Sequence, residues 1–289
     1  MENNKPISLE PEPSPVAFAS LIKNFYNHFK LVIANTNRLR EEVYKIRYKV
    51  YCQELKYEKE ENCWNGMEQD IYDHRSVHCL LMHRSSQVYA GCVRVILADP
   101  DASKASHLPL EKVFCRSLKP HNLPHYFYGE VSRLAVIAEF RKRQEEKQLM
   151  PVADTGIRFT EQERRYFPLI VTGLYLTAAS ISLEIGLDSA FTLMEPRLAR
   201  HLRRFGIKFR QIGELVEFHG QRGLFQIPRS AILSSMNANT YELFQTLRSE
   251  VRRSLIQSAP GLLSYRAAER NSPEPKVYNG TLYGQFAGL

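Results

Sequence analysis

Paired cysteines are missing from the sequence. The five cysteines are Cys52, Cys63, Cys79, Cys92 and Cys115, and no two of them form a CxxC pair. An odd number without close pairs argues against a disulfide framework and favours a reducing compartment, so we expect a cytoplasmic protein. The missing ligand pairs also argue against a zinc site, and we expect no bound metal.

Long apolar runs are also scarce. The longest extends from Leu169 to Gly186 and contains Thr172, Ser180 and Glu184. A membrane span needs about 20 predominantly apolar residues, so this stretch fits a buried core helix better. The first residues, MENNKPISLEPEPSP, lack a basic segment followed by an apolar one, and we expect no signal peptide. We therefore expect no transmembrane segment, and peripheral membrane contact stays open.

Positive charge is in excess. Lys and Arg number 39 against 31 Asp and Glu, which gives a formal net charge of +8. This balance favours an acidic partner, such as nucleic acid, an anionic membrane, an acidic carrier protein or a phosphorylated cofactor. The arginine-rich stretch is not interleaved with aromatic residues and follows no helix-turn-helix signal, so we expect no nucleic-acid binding.

Composition divides the chain into three parts. Residues 1–16 are rich in Pro and Glu and are predicted to form a disordered tail. Residues 259–289 carry Pro, Gly and Ser without a sustained period and are predicted to be a tail or an appended arm. The part between them, 17–258, is predicted to form a single globular domain, since no internal repeat divides it.

The hydrophobic patterns of this domain predict alternating helices and strands. A helical stretch (17–52) precedes a hairpin (77–84 and 89–97), a third strand (128–137), the core helix (167–186), a fourth strand (189–195), a basic helix (196–206), two more strands (208–214 and 223–228) and further helix to about 257. The core helix acts as a crossover that makes the third and fourth strands parallel. Parallel neighbours in a mixed sheet can separate at their ends and leave a gap for a ligand.

Four short motifs occur in a fixed order along these elements. They are RYKVY with Arg47 and Tyr51, GMEQDIYD with Glu68, Asp70 and Asp73, GCVRV with Arg94, and GEVSRLAV with Glu130, Ser132 and Arg133. Together they resemble the acyl-homoserine-lactone (autoinducer) synthase and N-acyl amino acid synthase branch of the GNAT fold. They resemble more closely the acyltransferases associated with the PEP-CTERM/exosortase system. The resemblance covers residues 38–225.

The resemblance implies an α/β (α+β) fold of GNAT type. Its central sheet would be mixed, mostly antiparallel, flanked by helices and splayed between the fourth and fifth strands. It also implies an N-acyltransferase that moves a fatty-acyl group from a phosphopantetheine thioester to the amine of an amino acid or a related small molecule. The amine would attack the thioester directly, with backbone N–H groups stabilising the oxyanion.

Roles for individual residues follow from the same resemblance. The implied catalytic residues are Glu68, Asp70, Asp73, Glu130 and Arg133, and the implied substrate-binding residues are Arg47, Tyr51, Arg94 and Ser132. Which carboxylate takes the amine proton stays open. In the alternative reading, these are ordinary surface charges, GMEQDIYD is a solvated loop and Asp73 caps a turn.

Glu130 and Arg133 would lie on opposite faces of a regular strand, because their spacing is an odd number. We therefore predict a β-bulge near Ser132 or Arg133, which would bring both side chains to one face.

The acyl donor is expected to bind through Leu134, Val136, Arg141 and Arg143. The sequence lacks the Gly-rich pyrophosphate signature of CoA-binding relatives, which favours acyl carrier protein over acyl-CoA as the donor; no permanently bound cofactor is expected. An acidic carrier protein is expected to dock on the basic helix through Arg197, Arg200, Arg203 and Arg204. The alternatives are a solvated charge run at 141–143 and a solubilising helix face.

Three further expectations are more local. Trp64 lies closer to Asp70 than the corresponding Trp of the family does, which leaves its equivalence open. A Cys79 nucleophile with a neighbouring His is disfavoured, because His78 and Cys79 point to opposite faces of a strand. Leu174, Leu176 and Phe191 are candidates for the acyl pocket, and core packing explains them equally well. The alternative to an enzyme is a non-catalytic GNAT-like module that binds an acyl thioester or an acidic partner.

Overall fold

A central β-sheet organises the chain. The computed structural model describes residues 15–98, 108–113, 128–141 and 159–263. Within them, one sheet has seven strands in the order β1-β2-β3-β4-β5-β7-β6. The strands are β1 (Phe29–Ile33), β2 (Ser76–His83), β3 (Val88–Leu97), β4 (Tyr128–Val136), β5 (Ser189–Met194), β6 (Arg210–Glu217) and β7 (Gln221–Pro228). Neighbours pair antiparallel except β4 and β5, which are parallel.

Helices flank this sheet. In chain order they are α1 (Pro15–His28), α2 (Asn37–Arg47), α3 (Pro109–Val113), α4 (Ala138–Arg141), α5 (Glu161–Arg165), α6 (Pro168–Ile185), α7 (Pro196–Arg203), α8 (Arg229–Ser234) and α9 (Ala238–Ser258). A π-helical turn, Tyr48–Glu54, continues α2. The predicted mixed, mostly antiparallel sheet with flanking helices is therefore confirmed.

The first strand corrects the sequence prediction, which placed residues 17–52 in helix. Phe29, Leu31 and Ile33 are buried, whereas Lys30 between them is exposed. This alternation has the period of a strand, and β1 pairs with β2 along its whole length. The tertiary pairing overrides the helical pattern of the flanking residues. The predicted hairpin of β2 and β3 is confirmed, and β6 and β7 each differ from their predicted bounds by two or three residues.

The predicted bulge in β4 is confirmed. Cys92 lies opposite Ala135 and Arg94 lies opposite Ser132, so Arg133 and Leu134 together face the single residue Val93. Arg133 has a φ of 49°, in the left-handed region that a non-glycine residue rarely adopts. Such a conformation costs on the order of 1–3 kcal/mol and persists only where the surroundings hold it.

The sheet opens between β4 and β5, the parallel pair that was predicted to separate; they are the third and fourth of the predicted strands, and the fourth and fifth once β1 is counted. The two strands pair only from Tyr128 to Glu130 on β4, opposite Ser189 to Phe191 on β5. Beyond Glu130, the described residues of β4 pair with no strand on that side. The space that opens there is called the β4–β5 gap below, and Glu130 lies at its closed end.

The crossover between these strands is the core helix α6. Most of its side chains are buried, and Gly186 ends it in the left-handed conformation, with a φ of 94°. By length and composition this helix could cross a membrane, but 78% of its apolar window is buried inside the protein. The expected core helix is therefore present.

The ordered elements extend slightly beyond the predicted limits of the domain. Helix α1 begins at Pro15, and Leu262, four residues beyond the end of α9, packs against the main hydrophobic cluster. The remaining residues of both predicted tails lie outside the described residues, so the tails stay predictions.

Candidate active site

A buried cluster of ion pairs lies on one face of the sheet. We call it the ion-pair cluster, and its members are Arg47, Glu68, Asp70, Asp73, Arg94 and Arg133. All six were predicted as catalytic or substrate-binding residues, and the structure brings them together. The reading of GMEQDIYD as a solvated loop is wrong, because Glu68 and Asp73 are buried.

Arg47 enters the cluster from the end of α2. Thr36 caps the start of this helix by accepting a hydrogen bond from the Leu39 backbone N–H. Val43 and Ile46 pack into the core, and Arg47 is completely buried at the last turn. The π-helical turn follows directly, and such turns occur often at functional sites.

Asp73 joins two arginines that come from distant parts of the chain. Its Oδ1 accepts hydrogen bonds from Arg47 Nη1 and Arg94 Nη1, each at 2.6 Å. Its Oδ2 accepts from the backbone N–H of Asp70 at 2.8 Å, which fixes the turn of the acidic loop. Asp73 therefore compensates two buried charges and also orders its own segment, which combines the predicted site role with the predicted turn cap.

The bulge on β4 lets Arg133 reach this cluster. Arg133 Nη2 donates to Glu68 Oε1 at 3.0 Å and to Glu58 Oε1 at 3.1 Å. Glu68 Oε2 also accepts from Arg47 Nε at 2.5 Å. Arg133 therefore lies on the same side of the sheet as Arg47 and Glu68, as the bulge was predicted to allow.

The predicted substrate-binding residues Tyr51 and Ser132 adjoin the cluster. The Arg133 guanidinium lies 5.3 Å from the centre of the Tyr51 ring, and the Tyr51 hydroxyl donates to the Leu134 carbonyl at 2.8 Å. The Ser132 hydroxyl accepts from Arg94 Nε at 3.2 Å. Both residues thus hold arginines of the cluster in place.

The arginines keep the carboxylates of the cluster ionised. Burial alone would raise the pKa of Glu68, but Arg47 and Arg133 outweigh it and the pKa is lowered. The pKa of Asp70 is lowered in the same way by Arg94, and that of Asp73 is lowered strongly by Arg47 and Arg94. Burial lowers the pKa of the neighbouring His78 to about 3, so this imidazole is neutral at pH 7. These acids are therefore poor proton acceptors at neutral pH.

Glu130 behaves differently from the other acids. Its side chain is buried at the closed end of the β4–β5 gap, where its Oε2 accepts from the Leu110 backbone N–H at 2.9 Å. Burial raises its pKa to about 7, and the arginines nearby offset this only in part. Among the predicted acids, Glu130 is therefore the one that can both accept and release a proton near neutral pH.

The four residues predicted to bind the acyl donor do not form one cluster among the described residues. Leu134 is half-buried, and Val136 is buried and paired with Gly91. Arg141 is exposed, which agrees with the alternative reading of a solvated charge run, and its Nη2 donates to Glu54 Oε2 at 2.7 Å. Arg143 lies outside the described residues.

The four arginines predicted to dock a carrier protein are all exposed. Ala199 and Leu202 bury the opposite side of α7 against the core. The exposed side presents Arg197, Arg200, Arg203 and Arg204, the last just beyond the helix end. This surface is basic, and it suits a docking site and a solubilising face equally.

The three candidates for the acyl pocket do not come together. Leu174 and Leu176 lie in the main hydrophobic cluster, on the α6 side of the sheet. Phe191 lies in a second cluster with Ile96 and Leu110, beside Glu130. Core packing therefore accounts for the two leucines, and Phe191 is the candidate closest to the gap.

A contact between aromatic residues crosses the open end of the gap and was missed from the sequence. The Tyr57 backbone N–H donates to the Tyr51 backbone carbonyl at 2.7 Å, on the β4 side. His219, at the tip of the β6–β7 hairpin, stacks on the Tyr57 ring at a centroid distance of 4.5 Å, and Arg222 lies over the same ring. No sequence motif joins positions so far apart. Glu58, which bonds Arg133, was also missed, because it lies in a charged stretch that gave no reason to choose it.

The structure also describes Trp64 and the Cys79–His78 pair, which the sequence analysis left open or disfavoured. The side chain of Trp64 is 77% exposed and is not a member of the ion-pair cluster, so its equivalence to the family's Trp stays a prediction. Cys79 packs in the main core while His78 Nε2 lies 3.6 Å from Asp73 Oδ1, so the two do not form a nucleophile pair. Within the described residues, no group of three or more His, Cys, Asp or Glu side chains could hold a metal ion.

Comparison with known proteins places these residues in a family context. Residues 46–150 match the family model described as the acetyltransferase (GNAT) domain. That range contains the whole ion-pair cluster together with Glu130. No curated protein matches the chain significantly.

Several solved structures resemble this one. FeeM, an N-acyl amino acid synthase from uncultured soil microbes, is 14% identical over 74% of this chain and 96% of its own, with a TM-score of 0.49. The acyl-homoserine-lactone synthase LasI is 15% identical over 74% of this chain and 95% of its own, with a TM-score of 0.49. The CoA-dependent acyl-homoserine-lactone synthase BjaI, solved with SAM and isopentyl-CoA, is 14% identical over 78% of this chain and 89% of its own, with a TM-score of 0.45.

Proposed function

We propose that this protein is an N-acyltransferase that moves a fatty-acyl group from a carrier thioester to the amine of an amino acid or a related small molecule. The observation that carries the proposal is the position of the ion-pair cluster. Arg133, on the bulge of β4, lies where β4 has already left β5, so charged groups flank an opened sheet edge. The match of residues 46–150 to the GNAT family model supports the same reaction class.

The opened edge of β4 suits a tetrahedral intermediate. Backbone N–H groups that are not engaged in a ladder can donate to an oxyanion, which is a large source of acceleration in acyl transfer. The amine and the thioester need only be held close together, so no covalent enzyme intermediate is required. Arg133 and its partners Glu68 and Glu58 would position the acceptor beside this edge.

Glu130 is the group that we assign to the proton transfer. The attacking amine forms a C–N bond with the acyl carbon and gives up a proton to Glu130, directly or through a water. The C–S bond then breaks, and Glu130 returns the proton to the leaving thiolate. A carboxyl group with a pKa of about 7 can serve in both directions at neutral pH.

The preferred donor is an acyl carrier protein. Arg141 is already paired with Glu54 and is therefore less suited to hold the phosphates of coenzyme A. The exposed arginines of α7 offer a surface for an acidic carrier, whose docking would weaken with salt. The cytoplasmic location and the association with a PEP-CTERM/exosortase system stay predictions from the sequence.

To test the proposal, the purified protein is incubated with a panel of amines and either a carrier protein loaded with a long acyl chain or a long-chain acyl-CoA. The thiol that is released is then measured. We expect thiol release that depends on the amine and is faster with the carrier protein. Arg253→Glu on α9, an exposed arginine far along the chain from the proposed site, serves as the matched control and is expected to leave the rate unchanged. Equal thiol release with and without amine would contradict amine transfer.

A second candidate is a binding module without turnover. The observation that favours it is the compensation within the cluster, in which Asp73 and Glu68 pair the completely buried Arg47 as in a purely structural network. In that case the acyl donor binds, as measured by calorimetry, but no amine yields thiol. Donor binding without thiol release for the whole panel would favour the module over the enzyme.

A further inference from the structure

Two cysteines lie side by side next to the ion-pair cluster's segments. Cys52 Sγ and Cys63 Sγ are 3.3 Å apart, although eleven positions separate them in the chain. Cys52 is completely buried in the π-helical turn, and Cys63 is partly exposed where a short 3₁₀ helix, Glu60–Asn62, ends. Both are free thiols in the structure.

We propose that Cys52 and Cys63 form a reversible disulfide, and that this pair is an oxidation site of the protein. A disulfide has an S–S length of about 2.05 Å, so the sulfur atoms need to approach by only a little more than 1 Å. Side-chain rotation supplies most of such a shift. This inference concerns the thiols alone and does not depend on the proposed acyl transfer.

Exposure sets the order of the chemistry. Cys79 and Cys92 are completely buried, so Cys63 is the accessible thiol within the described residues. Burial also raises the pKa of Cys52 to about 12, which makes it unreactive towards an external oxidant. Cys63 is therefore the thiol that reacts first.

The oxidant is a small-molecule disulfide such as glutathione disulfide. The Cys63 thiolate attacks one sulfur of the oxidant, whose S–S bond breaks and releases one glutathione. Cys52 then loses its proton and attacks Cys63 Sγ, which releases the second glutathione. Two protein thiols are oxidised, one glutathione disulfide is reduced to two thiols, and the two protons lost by the protein pass to the released thiolates.

The position of the pair gives the bond a structural consequence. Cys52 follows Tyr51, which bonds Leu134 on β4, and Cys63 precedes by five residues Glu68, which bonds Arg47 and Arg133. Oxidation would therefore tie the helix that carries Arg47 to the segment that carries the acidic motif. The disulfide would close the loop between the two cysteines and so lower the entropy of the unfolded chain, and the oxidised protein is expected to melt about 5 °C higher than the reduced protein.

Trypsin makes the test direct. Cleavage after Lys49, Lys56, Lys59 and Arg75 places Cys52 in the peptide 50–56 and Cys63 in the peptide 60–75. The full chain is incubated with glutathione disulfide, quenched with acid, alkylated and digested without reductant. We expect the two peptides to be joined, with a mass lower by two hydrogens than their sum, and to separate again in dithiothreitol.

Variants separate the steps. Cys52→Ser is expected to keep glutathione on Cys63, and Cys63→Ser is expected to show neither the adduct nor the cross-link. Cys115→Ser is the control and is expected to leave the cross-link intact. The proposal is overturned if the unmodified chain keeps glutathione on Cys63, or if both Cys52 and Cys63 remain open to alkylation after the incubation.

Discussion

Replacing Asp73 with asparagine removes the negative charge that lies between two buried arginines. The carboxylate accepts two charge-assisted hydrogen bonds, from Arg47 and Arg94, and a third from the Asp70 backbone N–H. Asparagine keeps the shape and one acceptor oxygen but leaves the two guanidiniums with less compensating charge. Breaking a buried ion pair from one side costs about 3–5 kcal/mol, and we expect a loss of unfolding free energy in this range.

The measurement is chemical denaturation followed by circular dichroism at pH 7. The control is Glu42→Gln, because Glu42 pairs with Lys45 on the surface, where a salt bridge contributes at most about 1 kcal/mol. The folded-state pKa of Asp73 is lowered, so its contribution is complete above the unfolded pKa of about 3.9 and declines as the pH falls below it. If Asp73→Asn costs no more than Glu42→Gln, the charge compensation argued for the cluster is refuted.

Other predictions concern proton transfer, docking and packing. Glu130 has a raised folded pKa, so its contribution is complete below pH 4.5 and is lost as the pH rises through about 7. The unfolding free energy of Glu130→Gln, measured by denaturation, should therefore gain about 3 kcal/mol relative to wild type between pH 4.5 and 8. The same variant should lower kcat roughly 10²–10⁴-fold, and an unchanged pH–rate profile would contradict the role of Glu130 in proton transfer. Arg203→Glu should raise the KM for acyl carrier protein but not for acyl-CoA in the thiol assay, and an equal rise for both donors would count against docking on α7. Gly129→Ala places a Cβ 2.5 Å from the Ile96 carbonyl oxygen and should destabilise the protein by about 1–3 kcal/mol, whereas a neutral result in thermal melting would mean that β4 shifts freely.

Much of the sheet could be predicted because its strands carry local signals. The apolar hairpin of β2 and β3 and the crossover α6 have clear periods, and the parallel pairing of β4 and β5 follows from the crossover. Strand β1 could not be found this way, since its five residues lie between two helical patterns and are specified by pairing with β2.

Some features of the candidate site could also be predicted from the sequence, and others could not. The odd spacing of Glu130 and Arg133 predicted the bulge, because a regular strand would separate their side chains. The spacing could not say how the acids differ. Glu130 and Asp73 are both buried, but two arginines bond Asp73 and lower its pKa, whereas Glu130 bonds a backbone N–H and keeps a raised pKa. The Tyr57–His219 contact was also beyond sequence reasoning, since it depends on where the β6–β7 hairpin lies.

Strand β4 places Glu130 and Arg133 in two different environments. The paired part of β4 and β5 holds Glu130 in a buried setting, while the part beyond it carries Arg133 in a strained backbone. Strain of this kind is tolerated where neighbours fix it, and Glu68, Glu58 and Tyr51 all contact Arg133.

The central claim, acyl transfer to an amine, is tested most directly by mass spectrometry of lipid extracts from cells that express the protein. We expect an N-acyl amine in cells with the wild-type chain, and its loss with Arg133→Ala produced at the same level. Absence of any acylated amine with the wild-type chain, or the same amount with Arg133→Ala, would contradict the account.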